Sequence, residues 1–129
     1  MIRFLALTPG EDADEIDVAI RRVVRRGWFI LGPELEAFEQ EFASLTTAAH
    51  AVGVGNGTDA LSIALRALDI GAGAEVITSP LSAAYSALAI VAAGARPVFA
   101  DIDPGRLTVD PAAVEAAVTE RTAAIPRRR

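Results

Sequence analysis

A glycine-rich turn at residues 55–61 is the part of the sequence best suited to chemistry. It reads Gly-Asn-Gly-Thr-Asp-Ala-Leu and lies where an apolar run passes into an amphipathic one. Glycine lets the backbone turn tightly, and the first amides of a following helix point outward with partial positive charge. The turn favours a monophosphate bound by the amides of Thr58, Asp59 and Ala60 and by the Thr58 hydroxyl. An ordinary helix start capped by Thr58 or Asp59 fits the spacing equally well.

The chain contains no lysine, because all 12 residues of the combined Lys+Arg count are arginine. Guanidinium groups stay protonated near neutral pH and cannot serve as amine nucleophiles. Chemistry that needs a covalent bond between a lysine and a carbonyl compound is therefore beyond these residues. We predict a binding site without its reactive group, and we assign no catalytic residue.

Two other kinds of site are weaker alternatives. Gly53 and Gly55 match the first two glycines of a dinucleotide-binding G-x-G-x-x-G motif, but Thr58 occupies the third position. Asp101 and Asp103 follow a predicted strand and could bind a metal, yet their spacing around a Pro-Gly turn favours bonds to turn amides. We predict no metal site, and the single histidine, His50, is given no catalytic role.

Composition limits the class of protein. With 129 residues the chain has the size of one domain, and its net charge of −5 argues against a nucleic-acid partner. The absence of cysteine fits a cytoplasmic protein. The first ten residues do not resemble a signal peptide, and the longest apolar stretch, 83–93, is too short to span a bilayer.

The hydrophobic pattern predicts strands alternating with helices after residue 48. Alternation of this kind indicates a parallel sheet with right-handed crossovers. We predict an α/β fold, an incomplete three-layer α/β/α arrangement with a mostly parallel sheet at 49–129, preceded by a helical segment at 1–48. The predicted helices are 11–26, one beginning at Pro33, 58–68, 82–93 and 111–118, and the predicted strands are 51–54, 75–78, 97–100 and 123–125.

Several segments together resemble the DegT/StrS family of pyridoxal-phosphate-dependent aminotransferases, which aminate keto sugars attached to nucleotides. The resemblance rests on Gly-Trp-Phe-Ile-Leu-Gly-Pro-Glu at 27–34, the turn at 55–61 and Ala-Glu-Val-Ile-Thr at 74–78. It continues with Gly-Ala-Arg-Pro-Val-Phe at 94–99, Asp-Ile-Asp at 101–103 and the stretch 110–126. The match covers nearly the whole chain but only about the first third of such an enzyme.

The resemblance implies a role for four residues. Gly57, Thr58 and Asp59 fall on the turn that holds the phosphate of pyridoxal phosphate. The family usually places an aromatic ring on the cofactor just after the 75–78 strand, where this chain has Ala83. Either Tyr85 takes this role from the neighbouring turn or the stacking contact is weak.

The resemblance also implies a cytoplasmic homodimer with active sites at the subunit boundary, a nucleotide-sugar substrate, an amino donor and a part in polysaccharide biosynthesis. The lysine that binds the cofactor covalently belongs to later motifs of the family. Because Arg127, Arg128 and Arg129 stand where family sequence should continue, we expect a fragment without useful turnover. The alternative is a non-catalytic module that donates its 28–33 loop to an intact homologue.

Overall fold

A computed structural model describes residues 10–125 of the chain. The chain forms two compact units, Met1–Gly53 and Val54–Arg129. The arginines at 127–129, on which the expectation of a fragment rests, lie outside the described residues. The boundary after residue 48 was placed by sequence pattern, and as a division between functional domains it stays a prediction.

The first unit contains helices α1 (Ala13–Arg26) and α2 (Pro33–Thr46). Acidic residues occupy the first turn of α1 and arginines its last turn, which complements the helix dipole. Gly27 ends α1 with a φ of 70°, in the left-handed region, and its amide donates to the Val23 carbonyl at 3.0 Å. The predicted end of the helix at Gly27 and the predicted start of α2 at Pro33 are both confirmed.

Ion pairs connect α1 with the start of α2. Arg22 Nε and Arg26 Nη1 donate to Glu34 Oε1 at 3.0 Å and 2.9 Å, and Arg21 pairs with Asp17 one turn earlier. Burial alone would raise the pKa of Glu34, but its own backbone amide and the two arginines outweigh burial and lower the pKa. Two arginines of α1, Arg22 and Arg26, are thus bonded to the first turn of α2.

Helix α2 carries an apolar stripe that is largely uncovered. Leu35 is half-buried, whereas Phe38, Phe42 and Leu45 are exposed. The rings of Phe38 and Phe42 lie against each other with centroids 5.7 Å apart. Of the α2 residues, Ala43 alone is buried.

The second unit is built on a parallel sheet. In chain order it contains α3 (Gly57–Ala67), β1 (Glu75–Thr78), α4 (Tyr85–Ala92), β2 (Arg96–Phe99), β3 (Ile102–Asp103), β4 (Thr108–Val109), α5 (Pro111–Ala117) and β5 (Thr122–Ala124). Strand β1 lies between β2 and β5 and is parallel to both. The predicted α/β class with a parallel sheet is confirmed.

The core of this unit lies between β1 and the helices α3 and α4. All four residues of β1 are buried, and Val76 and Ile77 have no exposed surface. The core cluster comprises Leu65, Ile70, Val76, Ile90, Ala93 and Ala95. Burial of all four residues fits the buried parallel strand predicted at 75–78.

The predicted strand at 51–54 is wrong, since no strand forms there. An extended segment becomes a strand only when a neighbouring backbone completes the hydrogen-bond ladder. Here the Gly53 amide donates instead to a side chain, Glu39 Oε1, at 2.6 Å. A Cβ atom at Gly53 would lie 2.4 Å from Leu35 Cδ1, so glycine permits this close approach.

The hairpin formed by β3 and β4 was not predicted, because two-residue strands carry no detectable period. In residues 10–125 the helices fall short of the length and apolar content that a bilayer crossing requires.

Candidate functional site

The glycine-rich turn forms the start of α3, with Asn56 as its capping residue. Asn56 has an extended backbone, and its Oδ1 atom accepts a hydrogen bond from the Asp59 amide at 3.0 Å. In return, Asn56 Nδ2 donates to Asp59 Oδ2 at 2.8 Å. Of the two interpretations left open, the one in which Thr58 or Asp59 caps the helix is wrong about the capping residue, because α3 begins at Gly57 and the cap precedes it.

The amides available to a ligand differ from those predicted. The Asp59 amide is used by Asn56 Oδ1, and the Ala60 amide donates to the Asn56 carbonyl at 3.1 Å. The amides of Gly57 and Thr58 have no acceptor within the part of the chain that the structure describes. A Cβ atom at Gly57 would meet nothing within 4 Å, so the turn is not crowded at this residue. An anion at this turn would therefore contact Gly57 and Thr58.

The packing of α3 against α4 brings Tyr85 to the same end of the unit. Arg66, in the last turn of α3, donates to the carbonyl of Ala92 at the end of α4 at 3.2 Å. The carboxyl ends of the two helices are thus adjacent, and Gly57 and Tyr85 both begin their helices at the opposite end.

That end coincides with the carboxyl edge of the sheet. Because α4 connects the parallel strands β1 and β2, it must run back across the sheet and begin where β1 ends, near Thr78. In open α/β folds, ligands bind outside the carboxyl ends of the strands. The topology therefore gathers Gly57, Thr58, Asp59 and Tyr85 at the edge where a ligand is expected.

The side chains after β1 add hydroxyl groups to this edge. Tyr85 is the first residue of α4 and is 64% exposed, so its ring is accessible. Ser82 Oγ and Ser86 Oγ are 3.3 Å apart, and Ser79 Oγ accepts from the Leu81 amide at 3.2 Å. These serines are not among the residues predicted from the sequence, although hydroxyl side chains that follow a buried strand can bond to a ligand at the carboxyl edge of a sheet.

The acidic residues after β2 accept hydrogen bonds from backbone amides of the hairpin, as predicted from their spacing around the Pro-Gly turn. Asp103 Oδ1 accepts from the amides of Gly105 and Arg106 at 2.7 Å and 3.1 Å. Asp101 Oδ1 accepts from the Ile102 amide at 2.8 Å. In residues 10–125, no three acidic, histidine or cysteine side chains group closely enough to hold a metal ion.

An ionic cluster that the sequence analysis missed lies at the opposite, amino edge of the sheet. Glu75 is buried and accepts hydrogen bonds from Arg96, Arg121 and Thr119. The bonds from Arg96, Thr119 and Arg121 lower the pKa of Glu75 to about 2 despite its burial. Its partners are 21, 44 and 46 residues away in sequence, so no local sequence pattern predicts the cluster.

Known proteins match this chain over most of its length. A profile of the DegT/DnrJ/EryC1/StrS aminotransferase family matches residues 11–126. The dTDP-3-amino-3,4,6-trideoxy-alpha-D-glucose transaminase of Streptomyces venezuelae is 50% identical over 111 residues, which are 86% of this chain and 29% of the relative. The UDP-2-acetamido-2-deoxy-3-oxo-D-glucuronate aminotransferase of Pseudomonas aeruginosa is 45% identical over 112 residues, which are 87% of this chain and 31% of that protein.

A solved structure agrees with these sequence matches. NtdA from Bacillus subtilis, determined with bound cofactor PMP, superposes with a TM-score of 0.88 at 31% identity over 96% of this chain and 29% of that one. The chain spans about three tenths of the length of the relatives it matches. Since the family profile extends over nearly all described residues, the chain belongs to the DegT/DnrJ/EryC1/StrS aminotransferase family.

Proposed function

We propose that this chain supplies the phosphate-binding part of a pyridoxal-phosphate-dependent aminotransferase that acts on a nucleotide-linked keto sugar. The observation that carries the proposal is the pair of open amides at Gly57 and Thr58, at the carboxyl edge of the sheet. Two relatives named as transaminases of dTDP- and UDP-linked sugars support the substrate class. The PMP in the NtdA structure supports the cofactor, since PMP is the aminated form of pyridoxal phosphate.

The residues of the turn fit a phosphate group. The amides of Gly57 and Thr58 donate to its oxygens, the helix dipole favours its negative charge, and the Thr58 hydroxyl adds a third donor. Asp59 takes part as the residue that holds the turn, because Asn56 binds both its amide and its carboxylate.

We assign to Tyr85 the stacking contact with the pyridine ring of the cofactor. Its exposed side chain starts α4 at the same edge, and an aromatic face can stack on a pyridine ring. Pyridoxal phosphate, when bound, supplies the electron sink for amino-group transfer. This chain's part is to bind and orient it.

Turnover requires groups that these 129 residues do not contain. With no lysine in the chain, no ε-amine can bind the cofactor covalently or move a proton during transfer. We propose that the chain alone is inactive, and that the whole enzyme is a cytoplasmic homodimer working in the synthesis of a polysaccharide or another sugar conjugate. Phosphate recognition by this turn, at about 4 kcal/mol, corresponds to a dissociation constant of about 1 mM.

A second candidate function is a non-catalytic module that associates with an intact homologue. The loop from Trp28 to Leu31 favours it, since all four side chains of the loop are exposed and apolar. Trp28 Nε1 donates to the Ile30 carbonyl at 2.7 Å, which holds the loop in a defined turn. Co-purification with a full-length relative would support this role, and the absence of complex formation with such a relative would exclude it.

Titration with pyridoxamine phosphate tests the proposed site, because this form lacks an aldehyde and cannot react with stray amines. We expect saturable shifts of the Gly57 and Thr58 amide signals in ¹⁵N NMR spectra. Thr58→Val should weaken binding roughly tenfold or more, the effect of one lost bond to a charged group. Thr108→Val, which removes a hydroxyl from the exposed hairpin, is the matched control. Unchanged affinity in Thr58→Val, or shifts confined to other residues, would contradict the assignment.

A further inference from the structure

Two arginines converge on one carboxylate oxygen at the amino edge of the sheet. Arg96 Nη2 lies 2.5 Å and Arg121 Nε 2.6 Å from the same atom, Glu75 Oε1. The other carboxylate oxygen of Glu75 accepts from Thr119 Oγ1 at 2.8 Å. One buried negative charge is therefore shared by two positive charges, and the cluster retains a net charge of +1.

The unbalanced charge faces solvent. The side chains of Arg96 and Arg121 are 62% and 65% exposed, whereas that of Glu75 is 1% exposed. A guanidinium group carries five N–H donors. Across residues 10–125, Arg96 uses one side-chain nitrogen in a hydrogen bond, Nη2, and Arg121 uses one, Nε. The remaining donors of both groups are available to a ligand.

An open depression lies beside the two guanidinium groups. It has a volume of about 490 Å³, and small residues line it together with the charged ones. Gly73 and Gly94 are two of its lining residues, and their φ values of +86° and +88° lie in a region that residues with side chains rarely adopt. These two glycines place no side chain in the depression, and its volume accommodates a small anion.

We propose that this depression binds a phosphate group through Arg96 and Arg121. Both guanidinium groups reach one carboxylate oxygen, so they lie close enough for a single tetrahedral dianion to contact both. Such an anion neutralises the net charge of +1 that remains after Glu75 pairs with the two arginines. The site is distinct from the turn at Gly57, which lies at the carboxyl end of the same sheet, so it does not depend on the proposed aminotransferase function.

Titration of the unaltered chain with sodium phosphate is the primary test, with sodium chloride used to hold the ionic strength constant. We expect saturable shifts of the Arg96 and Arg121 Nε–Hε signals in ¹⁵N NMR spectra. The dissociation constant should be of millimolar order, because exposed charge pairs contribute little. The Arg106 signal, from the exposed hairpin, should not move. Absence of saturation, or equal shifts for all arginines, would overturn the proposal.

Substitution of the cluster gives an independent result. Glu75→Gln removes the competing carboxylate, so we expect phosphate to bind roughly fourfold more tightly or better, the effect of one unit charge about 5 Å away in water. Arg96→Gln should abolish saturation at Arg121, and Arg106→Gln should leave it unchanged. Weaker or equal binding in a folded Glu75→Gln variant would refute the charge argument. If either cluster variant fails to fold, the titration of the unaltered chain decides.

The same spectra separate this site from the proposed cofactor site. Phosphate bound at the turn moves the Gly57 and Thr58 amide signals, and phosphate in the depression moves the two arginine signals. Arg96→Gln should remove the second response and preserve the first. Loss of both responses together would contradict two separate sites.

Discussion

Glu75 is a carboxylate that stays ionised while buried. Arg96, Thr119 and Arg121 all donate to it, and their bonds outweigh the cost of removing its charge from water. Because Glu75 begins β1, Arg96 begins β2 and Arg121 immediately precedes β5, the cluster links the amino ends of three parallel strands. A single side chain thus contributes to the alignment of the whole sheet.

The lowered pKa of Glu75 predicts a specific loss of stability in acid. Its value of about 2 in the folded chain lies below the usual 4.5, so the contribution is fully present above pH 4.5 and is lost as the pH falls toward 2. Urea unfolding at pH 7 and pH 3 should show this loss. Glu75→Gln should be less stable at pH 7 and should lose less stability between the two pH values.

Glu115→Gln, on the exposed side of α5, is the matched control for this comparison. It should follow the unaltered chain at both pH values. An identical decline in the Glu75→Gln variant would show that other carboxylates cause the acid sensitivity.

At the scale of elements, the start of α3 contributes both to the stability of the helix and to the proposed binding site. Asn56 stabilises the helix by accepting from the Asp59 amide, and by starting the helix at Gly57 it leaves the amides of Gly57 and Thr58 open. The same hydrogen bonds that cap the helix therefore select which amides a phosphate can use.

Asn56→Ala should lower the free energy of unfolding by about 1 kcal/mol, the usual effect of losing a capping side chain. It should also weaken the binding of pyridoxamine phosphate, because Asp59 is no longer held. Asn56→Ser keeps a capping acceptor and should restore most of the stability. Chemical denaturation and amide-shift titration measure the two effects separately. Full stability in the alanine variant would mean that Asn56 does not act as the cap.

Prediction of elements succeeded for the helices and for the strands of the parallel sheet, and it failed for the 51–54 segment and the β3–β4 hairpin. The 75–78 strand was predicted residue for residue, and β2 and β5 each begin one residue before the predicted strand. Helix α4 begins three residues later than predicted, since Ser82 lies in a bend and Ala84 in a turn that precede the helix. The 51–54 segment has the apolar pattern of a strand, but Gly53 donates to a carboxylate instead of a backbone ladder.

At the scale of the whole molecule, much apolar surface is uncovered. In the first unit Phe29, Ile30 and Leu31 are 68%, 77% and 71% exposed. Contiguous apolar surface of this kind favours association. The net charge of −5 opposes it only at low ionic strength, since salt screens exposed charges.

We therefore expect this chain alone to bind a hydrophobic dye and to self-associate as its concentration rises. Ile30→Ser should reduce both effects without disturbing the loop, since Trp28 bonds to the backbone carbonyl of Ile30 and not to its side chain. Ala37→Ser, on the exposed face of α2, is the control. Dye fluorescence and sedimentation velocity provide the measurements, and a dye-free monomer at high concentration would contradict the expectation.

The sequence by itself determined the α/β class, the family and the position of the glycine-rich turn. Each of these depends on local signals, namely hydrophobic period, glycine placement and ordered motifs within short stretches of chain. Tertiary structure alone decided that Gly53 bonds to Glu39 instead of to a neighbouring strand, and which arginines reach Glu75. Those facts depend on hydrogen-bond partners that folding brings together, and the bonds to Glu75 cross 21 to 46 residues that no local pattern can bridge.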